Sequence, residues 1–177
     1  MATELEIDQN FLDFLKLLNQ HEAKYVVIGG YAVNYYGYVR GTLDFDVFIE
    51  ISEANADRLV DVFKKFGFNV PSLNRRLFLE AGNIVRVGVP PFRLEVLNRI
   101  SGVEFDECFR MRVVHQIEGV PINFISRDLL IQNKLASGRH KDLDDAEGLQ
   151  KLAEPKQSKT KAKKSKTSSL QKKPRSK

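Results

Sequence analysis

Two aspartates, Asp44 and Asp46, are separated by one residue in the otherwise apolar stretch TLDFDVFIE. Residues 45–51 are predicted to form a β-strand because they are rich in aromatic and β-branched side chains. Side chains two residues apart in a strand point to the same face, so the two carboxylates would be neighbours, about 6.6 Å apart along the strand. Like charges this close repel each other, and a divalent cation between them would relieve the repulsion.

The chemistry that this pair predicts is the binding of Mg²⁺ or Mn²⁺ together with a nucleotide. Mg²⁺ prefers a few carboxylates plus substrate phosphates to a cage made only of protein ligands. The alternative is that Asp44 ends a turn and Asp46 faces solvent on an edge strand. For so short a pattern taken by itself, this alternative is favoured.

A pair of glycines favours a nucleotide-binding site over this alternative. Residues 24–28 are predicted to be a strand, and Gly29 and Gly30 follow it before a short helix that ends at Gly37. A strand, a glycine pair and a helix place backbone N–H groups where phosphates bind. The alternative is that the strand-to-helix turn needs these glycines only for its own backbone geometry. Together with the carboxylate pair fourteen residues later, they indicate a site for a nucleoside triphosphate.

The other elements alternate between helices and strands. Helices are predicted to follow the capping residues Asp8, Ser52 and Ser126, and a last helix is predicted over about residues 141–152, where Asp142 is expected to be a cap. Further strands are predicted at residues 84–89, 93–97 and 120–125. This order predicts an α/β (α+β) fold, a mixed twisted sheet with helices packed on it.

The composition indicates one domain with a basic tail. The chain has 177 residues, which suits a single core. Residues 1–153 carry 18 basic and 22 acidic residues, whereas residues 154–177 carry ten basic residues and one acidic residue. The tail contains a single large apolar residue, so we expect it to be disordered. Its charge would either bind nucleic acid through the phosphates or only increase solubility.

The sequence also predicts the compartment. Cys108 is the only cysteine, which excludes an internal disulfide and favours a reducing environment. The N-terminal residues lack the basic and apolar regions of a signal peptide, and no apolar run is long enough to cross a bilayer. The histidines lack the spacing of a zinc site. We expect a cytoplasmic protein with no membrane contact.

The run VIGGYAVNYYGYVRGTLDFDVFIE resembles the nucleotidyltransferase superfamily, which has the palm of DNA polymerase β. It is similar in particular to small bacterial members, the minimal nucleotidyltransferases and the AbiEii-type nucleotidyltransferase toxins. Their pattern is Gly-Gly or Gly-Ser after a strand, then Asp-x-Asp, then a third acid on a later strand. The segment PPFRLEVLNRISGVEFDE looks like the third-acid segment, and RDLLIQNKLASGRHKDLDDAEGL resembles the C-terminal part. The resemblance spans nearly all of residues 24–152, and we expect residues 1–153 to form the nucleotidyltransferase domain.

This resemblance implies a reaction and a set of site residues. A hydroxyl of an acceptor would attack the α-phosphate of a nucleoside triphosphate, and pyrophosphate would leave. The catalytic and metal-binding residues implied are Asp44, Asp46 and Glu95, with Mg²⁺ or Mn²⁺ as the cofactor. The nucleotide would be bound by Gly29, Gly30 and Tyr31 through their backbone N–H groups, and by Arg40, Thr42 and Lys134.

The chain departs from the family pattern at the third acid. The family usually has aspartate there, whereas this chain has Glu95, whose carboxylate reaches about 1.5 Å farther and can alter catalytic geometry. The alternative is that Glu95 is a solvent-facing strand residue paired with Arg93 or Arg99. In that case the protein would be a catalytically degraded nucleotide-binding or interaction protein.

Three classes of function follow. The first is an enzyme that transfers a nucleotide to RNA, such as a tRNA end, or to a protein hydroxyl. The second is a toxin–antitoxin or phage-defence component that depends on an antitoxin, another partner subunit or a homodimer. The third is the degraded, non-catalytic protein. Transfer to a small molecule is less favoured, because such enzymes usually have a second domain for which this chain has no room.

Overall fold

The computed structural model describes residues 5–153, and the basic tail lies outside them. The elements in chain order are α1 (Gln9–Gln20), β1 (Tyr25–Val27), α2 (Gly29–Tyr35), β2 (Asp44–Ile49), α3 (Glu53–Lys65), α4 (Arg76–Leu79), β3 (Ile84–Val87), β4 (Arg93–Leu97), α5 (Phe105–Arg110), β5 (Val113–Ile117), β6 (Val120–Phe124), α6 (Arg127–Ser137) and α7 (His140–Ala153). None of the described helices has the length and apolar character needed to cross a membrane.

The strands form one mixed sheet in the order β3-β4-β2-β1-β6-β5. β2 runs parallel to β4 and β1 runs parallel to β6, whereas the other neighbouring pairs are antiparallel. Helices pack against the sheet and against each other. The predicted fold class, a mixed sheet with helices packed on it, is therefore confirmed.

The two faces of β2 have different neighbours. Phe45 is fully buried and stacks on Phe11 of α1 with 4.7 Å between ring centroids. Phe14 of α1 meets Phe63 of α3 edge to face, which joins these two helices. Because side chains alternate along a strand, Asp44 and the following even-numbered residues point away from this aromatic layer. The layer holds β2 on one face, and the other face carries Asp44 and Asp46 followed by the buried Phe48.

The ends of several elements follow their predicted caps. The side chain of Asp8 accepts a hydrogen bond from the Asn10 backbone N–H, and Ser52 accepts one from the Asn55 backbone N–H. Ser126 precedes α6 as predicted, but its side chain makes no capping hydrogen bond. β2 begins at Asp44, one residue earlier than predicted, so the first carboxylate belongs to the strand itself.

The sequence analysis missed α4, α5 and β5. The two helices have four and six residues, which is too short for helical periodicity to be visible. β5 joins β6 through Glu118 and Gly119, whose φ angles are 49° and 76°. Positive φ at both central residues is typical of a tight hairpin turn. Gly119, which allows such a turn, was visible in the sequence.

We predict that Asn55→Ala destabilises the fold by about 2 to 3 kcal/mol, because buried backbone groups would lose their partners. Asn55 is fully buried. Its side chain accepts from the Lys24 N–H and donates to the carbonyls of Lys24 and Glu50, at 2.8 to 3.1 Å. These contacts join the start of β1 to the end of β2. Urea unfolding would measure the loss. Asn10→Ala, at an exposed position, should cost less than about 0.5 kcal/mol, and equal losses would contradict this role for Asn55.

Candidate active site

A cleft with a volume of about 970 Å³ lies over the carboxylate face of β2. It is bordered by the start of α2, the loop before β2, strand β4 and the junction of α6 with α7. Eight of the nine residues predicted to form the site line this cleft: Gly29, Gly30, Arg40, Thr42, Asp44, Asp46, Glu95 and Lys134. Chain segments far apart in sequence thus meet in one place.

Tyr31 is the ninth predicted residue, and it does not line the cleft. Its ring packs edge to face against Phe11, with 5.9 Å between centroids, and against Phe45, with 4.9 Å. The side chain of Tyr31 therefore belongs to the core. The predicted contact with phosphate concerned its backbone N–H and stays a prediction.

The pairing of β2 with β4 sets the positions of the carboxylates. The register places Asp46 opposite Glu95 and Asp44 opposite Arg93. Burial raises the pKa of the Asp46 carboxyl to about 7, and the negative charges of Glu95 and Asp44 add to the effect. The three acids therefore form a cluster of like charge in which the anion at Asp46 is disfavoured.

Two arginines neutralise the outer members of this cluster. Arg93 donates two hydrogen bonds to Asp44, from Nε to Oδ1 at 2.7 Å and from Nη2 to Oδ2 at 2.9 Å. Arg86 donates to Glu95 at 2.7 Å, and Arg93 Nε lies 3.4 Å from the same carboxylate. The side chain of Glu95 is 12% exposed, so it does not face solvent. It does pair with Arg93, and Arg86 is its nearer partner.

The chemistry of the three acids fits a divalent cation, because carboxylate oxygens are the ligands that Mg²⁺ prefers. Burial and, after it, the charges of Glu95 and Asp44 raise the pKa of Asp46, and a bound cation would favour the anion instead. Within residues 5–153, however, no three Asp, Glu, His or Cys side chains are already grouped as a metal site. Arg93 donates to both oxygens of the Asp44 carboxylate, so a metal ion there would use the remaining lone pairs of these oxygens or displace Arg93.

The glycine pair has a steric role that the sequence analysis did not identify. Gly29 has a φ of +65°, and a Cβ atom on it would lie 2.1 Å from Asp46 Oδ2. A Cβ on Gly30 would lie 2.4 Å from Thr42 Oγ1. Both glycines therefore allow polar side chains of the cleft to approach the backbone closely.

The basic residues of the cleft are held by acids on α7. Lys134 Nζ lies 2.6 Å from Asp142 Oδ1 and 3.0 Å from Asp145 Oδ2, and Arg40 forms an ion pair with Asp145. Asp142 is the third residue of α7 and is buried, so the prediction that it caps this helix was wrong. Burial disfavours its charge, but hydrogen bonds from Lys134, Ser137 and Arg139 outweigh this and lower its pKa to about 2.

The sequence analysis assigned no role to Asp145, although this residue lies in the segment RDLLIQNKLASGRHKDLDDAEGL that carries the C-terminal resemblance. Asp142 and Asp145 are three residues apart, which places them on the same face of a helix. That spacing, after a lysine-bearing helix, was the available signal. Arg139 and Lys141 also line the cleft, and they add positive charge at its rim.

The comparisons with known proteins concern the fold. No protein-family model matches this chain, and no curated protein matches it either. Among solved structures, it is similar to an antigenic nucleotidyltransferase-like protein from Paracoccidioides brasiliensis, with a TM-score of 0.51 and 17% identity over 84% of this chain and 79% of that chain. It is also similar to the antibiotic-resistance factor ANT(2'')-Ia, with a TM-score of 0.50 and 13% identity over 81% of this chain and 88% of that one.

The chain has a nucleotidyltransferase fold. At these identities the likeness concerns the architecture and not the chemistry. The likeness to the AbiEii-type toxins, which the sequence suggested, is not reflected in these neighbours. The residues of the cleft must therefore supply the argument for function.

We predict that Gly29→Ala lowers the free energy of unfolding by about 1 to 3 kcal/mol more than Gly119→Ala, because only the first forces a side chain out of its packed position. Both glycines have positive φ, +65° and +76°, so both substitutions strain the backbone. A Cβ at residue 29 would also meet Cγ and Cβ of Asp46, at 2.9 and 3.0 Å, whereas nothing lies within 4 Å of one at residue 119. Urea unfolding of both variants measures the difference, and equal losses would show that the close approach is unimportant.

We predict that Asp46→Asn stabilises the metal-free protein at pH 8 by a few kcal/mol but has little effect at pH 4. The folded pKa of about 7 lies above the reference value of 3.8, so the neutral carboxyl favours the folded state. That contribution is present below pH 3.8 and is lost as the pH rises through 7. The gain from Asn should therefore grow between pH 4 and 7 and then level off. Chemical unfolding in EDTA across this range tests it, with the exposed Asp61→Asn as a control that should show no such trend.

Proposed function

We propose that this protein is a metal-dependent nucleotidyltransferase that moves a nucleoside monophosphate from a nucleoside triphosphate to a hydroxyl of RNA, such as tRNA, or of a protein. The observation that carries the proposal is the meeting of Asp44, Asp46 and Glu95 on two parallel strands, inside a cleft that Arg40 and Lys134 also line. Nucleotidyl transfer needs carboxylates that can hold a divalent cation and positively charged side chains that can bind phosphate.

The residues would divide the work as follows. Asp44, Asp46 and Glu95 would hold the divalent cations, Mg²⁺ or Mn²⁺. When bound, these cations would neutralise the charge that develops on the phosphoryl group. The acceptor oxygen would attack the α-phosphorus while the bond to pyrophosphate breaks. Glu95 would take the proton of the attacking hydroxyl. Arg40, Lys134, Thr42 and the backbone at Gly29, Gly30 and Tyr31 would hold the phosphates, which positions the α-phosphorus for attack.

The identity of the acceptor is a separate proposal. The basic tail of residues 154–177 favours RNA, because it can neutralise phosphates. From the resemblance to AbiEii-type toxins we propose a toxin–antitoxin or phage-defence component whose activity depends on an antitoxin, another partner subunit or a homodimer. From the single cysteine, Cys108, we propose that it works in the reducing cytoplasm. Growth arrest on expression, relieved by a gene encoded beside it, would support this role.

One argument against a small-molecule acceptor loses force. The sequence disfavours a small acceptor because the chain has no room for the second domain that usually binds one. Yet it covers 88% of the chain of ANT(2'')-Ia, an antibiotic-resistance factor whose conformation dynamics are regulated by its substrate, so a chain of similar extent can bind a substrate. An acceptor screen should therefore include small molecules that bear several hydroxyl groups.

A catalytically degraded protein is the second candidate. The observation that favours it is the pairing of Arg93 with Asp44 and of Arg86 with Glu95, since each ion pair offsets charge that a cation would otherwise neutralise. Such a protein would bind a nucleoside triphosphate without releasing pyrophosphate.

We expect the purified chain to transfer label from one of four α-labelled nucleoside triphosphates to an acceptor in the presence of Mg²⁺ or Mn²⁺. Total RNA, total protein and aminoglycosides would be offered separately as acceptors. Asp46→Asn should reduce the transfer by at least about a thousandfold, because it removes a ligand on which the charge neutralisation depends. The matched control Asp61→Asn changes an exposed aspartate on α3 and should transfer at the wild-type rate.

The outcomes separate the candidates. Label in one acceptor class, dependent on Asp46, identifies the reaction and its acceptor. Triphosphate binding without pyrophosphate release supports the degraded protein. Full transfer by Asp46→Asn would contradict the proposed mechanism.

A further inference from the structure

Asp145 on α7 joins the two cations that lie deepest in the cleft. Its side chain is 1% exposed. It accepts hydrogen bonds from Arg40, at 2.5 Å from Nε and 2.7 Å from Nη2, and its Oδ2 lies 3.0 Å from Lys134 Nζ. Burial disfavours its charge, but the hydrogen bonds from Arg40 and Lys134 outweigh that cost and lower its pKa. A buried, ionised carboxylate thus sits between two groups that a phosphate would bind.

The position of Arg40 is fixed at both its backbone and its side chain. Asn34 of α2 accepts from the Arg40 backbone N–H and donates to the Arg40 carbonyl, both at 2.9 Å. The guanidinium lies against Asp145 on one side, and its Nη1 lies 3.1 Å from the place that a Cβ on Gly30 would occupy. Nη1 also donates to the Gly41 carbonyl. Three of the five N–H donors of the guanidinium are then used, and two are available to a ligand in the cleft.

Lys134 is held in a similar way. Its side chain is 6% exposed, and Asp142 and Asp145 accept two of its three N–H donors. The cluster of Arg40, Lys134, Arg139, Asp142 and Asp145 contains three cations and two anions, so it keeps a net charge of +1 that can attract a phosphate.

We infer that Asp145 is a positioning residue for the nucleotide. It holds Arg40 and Lys134 in one arrangement, so that both reach the triphosphate without losing side-chain freedom at the moment of binding. The inference rests on the proposed function. Long basic side chains lose considerable rotamer freedom when they are immobilised, and fixing them in advance removes that cost from ligand binding. Asp145 would not touch the substrate itself.

The test measures binding of ATP and of tripolyphosphate to the full chain by titration calorimetry. Asp145→Asn keeps the size of the side chain and removes its charge. We expect it to raise the Kd of both ligands by about tenfold, a coupling typical of residues in one charged network. An effect on tripolyphosphate assigns the loss to the phosphates and not to the base. The control is Asp144→Asn, which changes the exposed neighbouring residue and should leave both affinities unchanged.

A double-mutant cycle separates positioning from a merely structural role. If Asp145 acts through Arg40, then Asp145→Asn should have a much smaller effect on Kd in an Arg40→Ala background. A structural role would instead lower the melting temperature and leave the tripolyphosphate affinity of the folded protein unchanged. Asp145→Glu keeps the charge but moves the carboxylate by one methylene. It should weaken binding to an intermediate degree, and it serves if Asp145→Asn does not fold.

The possible results are distinguishable. Unchanged affinity in Asp145→Asn, or an effect that simply adds to that of Arg40→Ala, would overturn the inference and leave the proposed function standing. Failure of the wild-type chain to bind either ligand would overturn both. Weakened binding that depends on Arg40 is the expected result.

Discussion

The parallel pairing of β2 with β4 is the constraint on which the site depends. Its register places Asp46 opposite Glu95 and Asp44 opposite Arg93. Because the side-chain period of a strand is two, a shift of one residue would turn the carboxylates of one strand away from those of the other. The buried aromatic contact of Phe45 with α1 opposes such a shift, since it would bring Asp44 or Asp46 into the core. The hydrophobic face of β2 thus fixes the chemistry of its other face.

The pair of helices α6 and α7 holds the walls of the cleft together. On one side, Gln132 and Asn133 of α6 donate to the carbonyls of Gly102 and Ser101 in the loop after β4, at 2.7 and 2.9 Å. On the other side, the ring of Tyr38 packs so closely on Gly148 of α7 that a Cβ there would lie 2.5 Å from it. The loop that carries Arg40 and the loop that follows Glu95 are therefore attached to the same helical pair, which links the two walls mechanically.

Most charged side chains of the cleft have a partner of opposite sign, and they fall into two clusters. The acids of the sheet meet Arg86 and Arg93, and the bases near α7 meet Asp142 and Asp145. Removing one partner of a buried ion pair costs stability, because the other charge is left without compensation. A divalent cation that displaces Arg93 or Arg86 from a carboxylate brings positive charge in its place, and a triphosphate can bind the remaining N–H donors of Arg40 and Lys134. This pairing of charges explains how the cleft can be stable without a ligand and still suit a highly charged one.

The sequence by itself determined the local features: the caps at Asp8 and Ser52, the alternation along β2 and the mixed order of helices and strands. It also drew attention to Asp44 and Asp46 through their spacing, and to Glu95 through a family resemblance. Only the tertiary structure decided their partners, because Arg93 lies 49 residues from Asp44 and Asp145 lies 105 residues from Arg40. Periodicity and capping are encoded within a few residues of chain, whereas partners across a sheet or between helices depend on register and packing. For that reason the carboxylates could be predicted, and the ion pairs that hold the site could not.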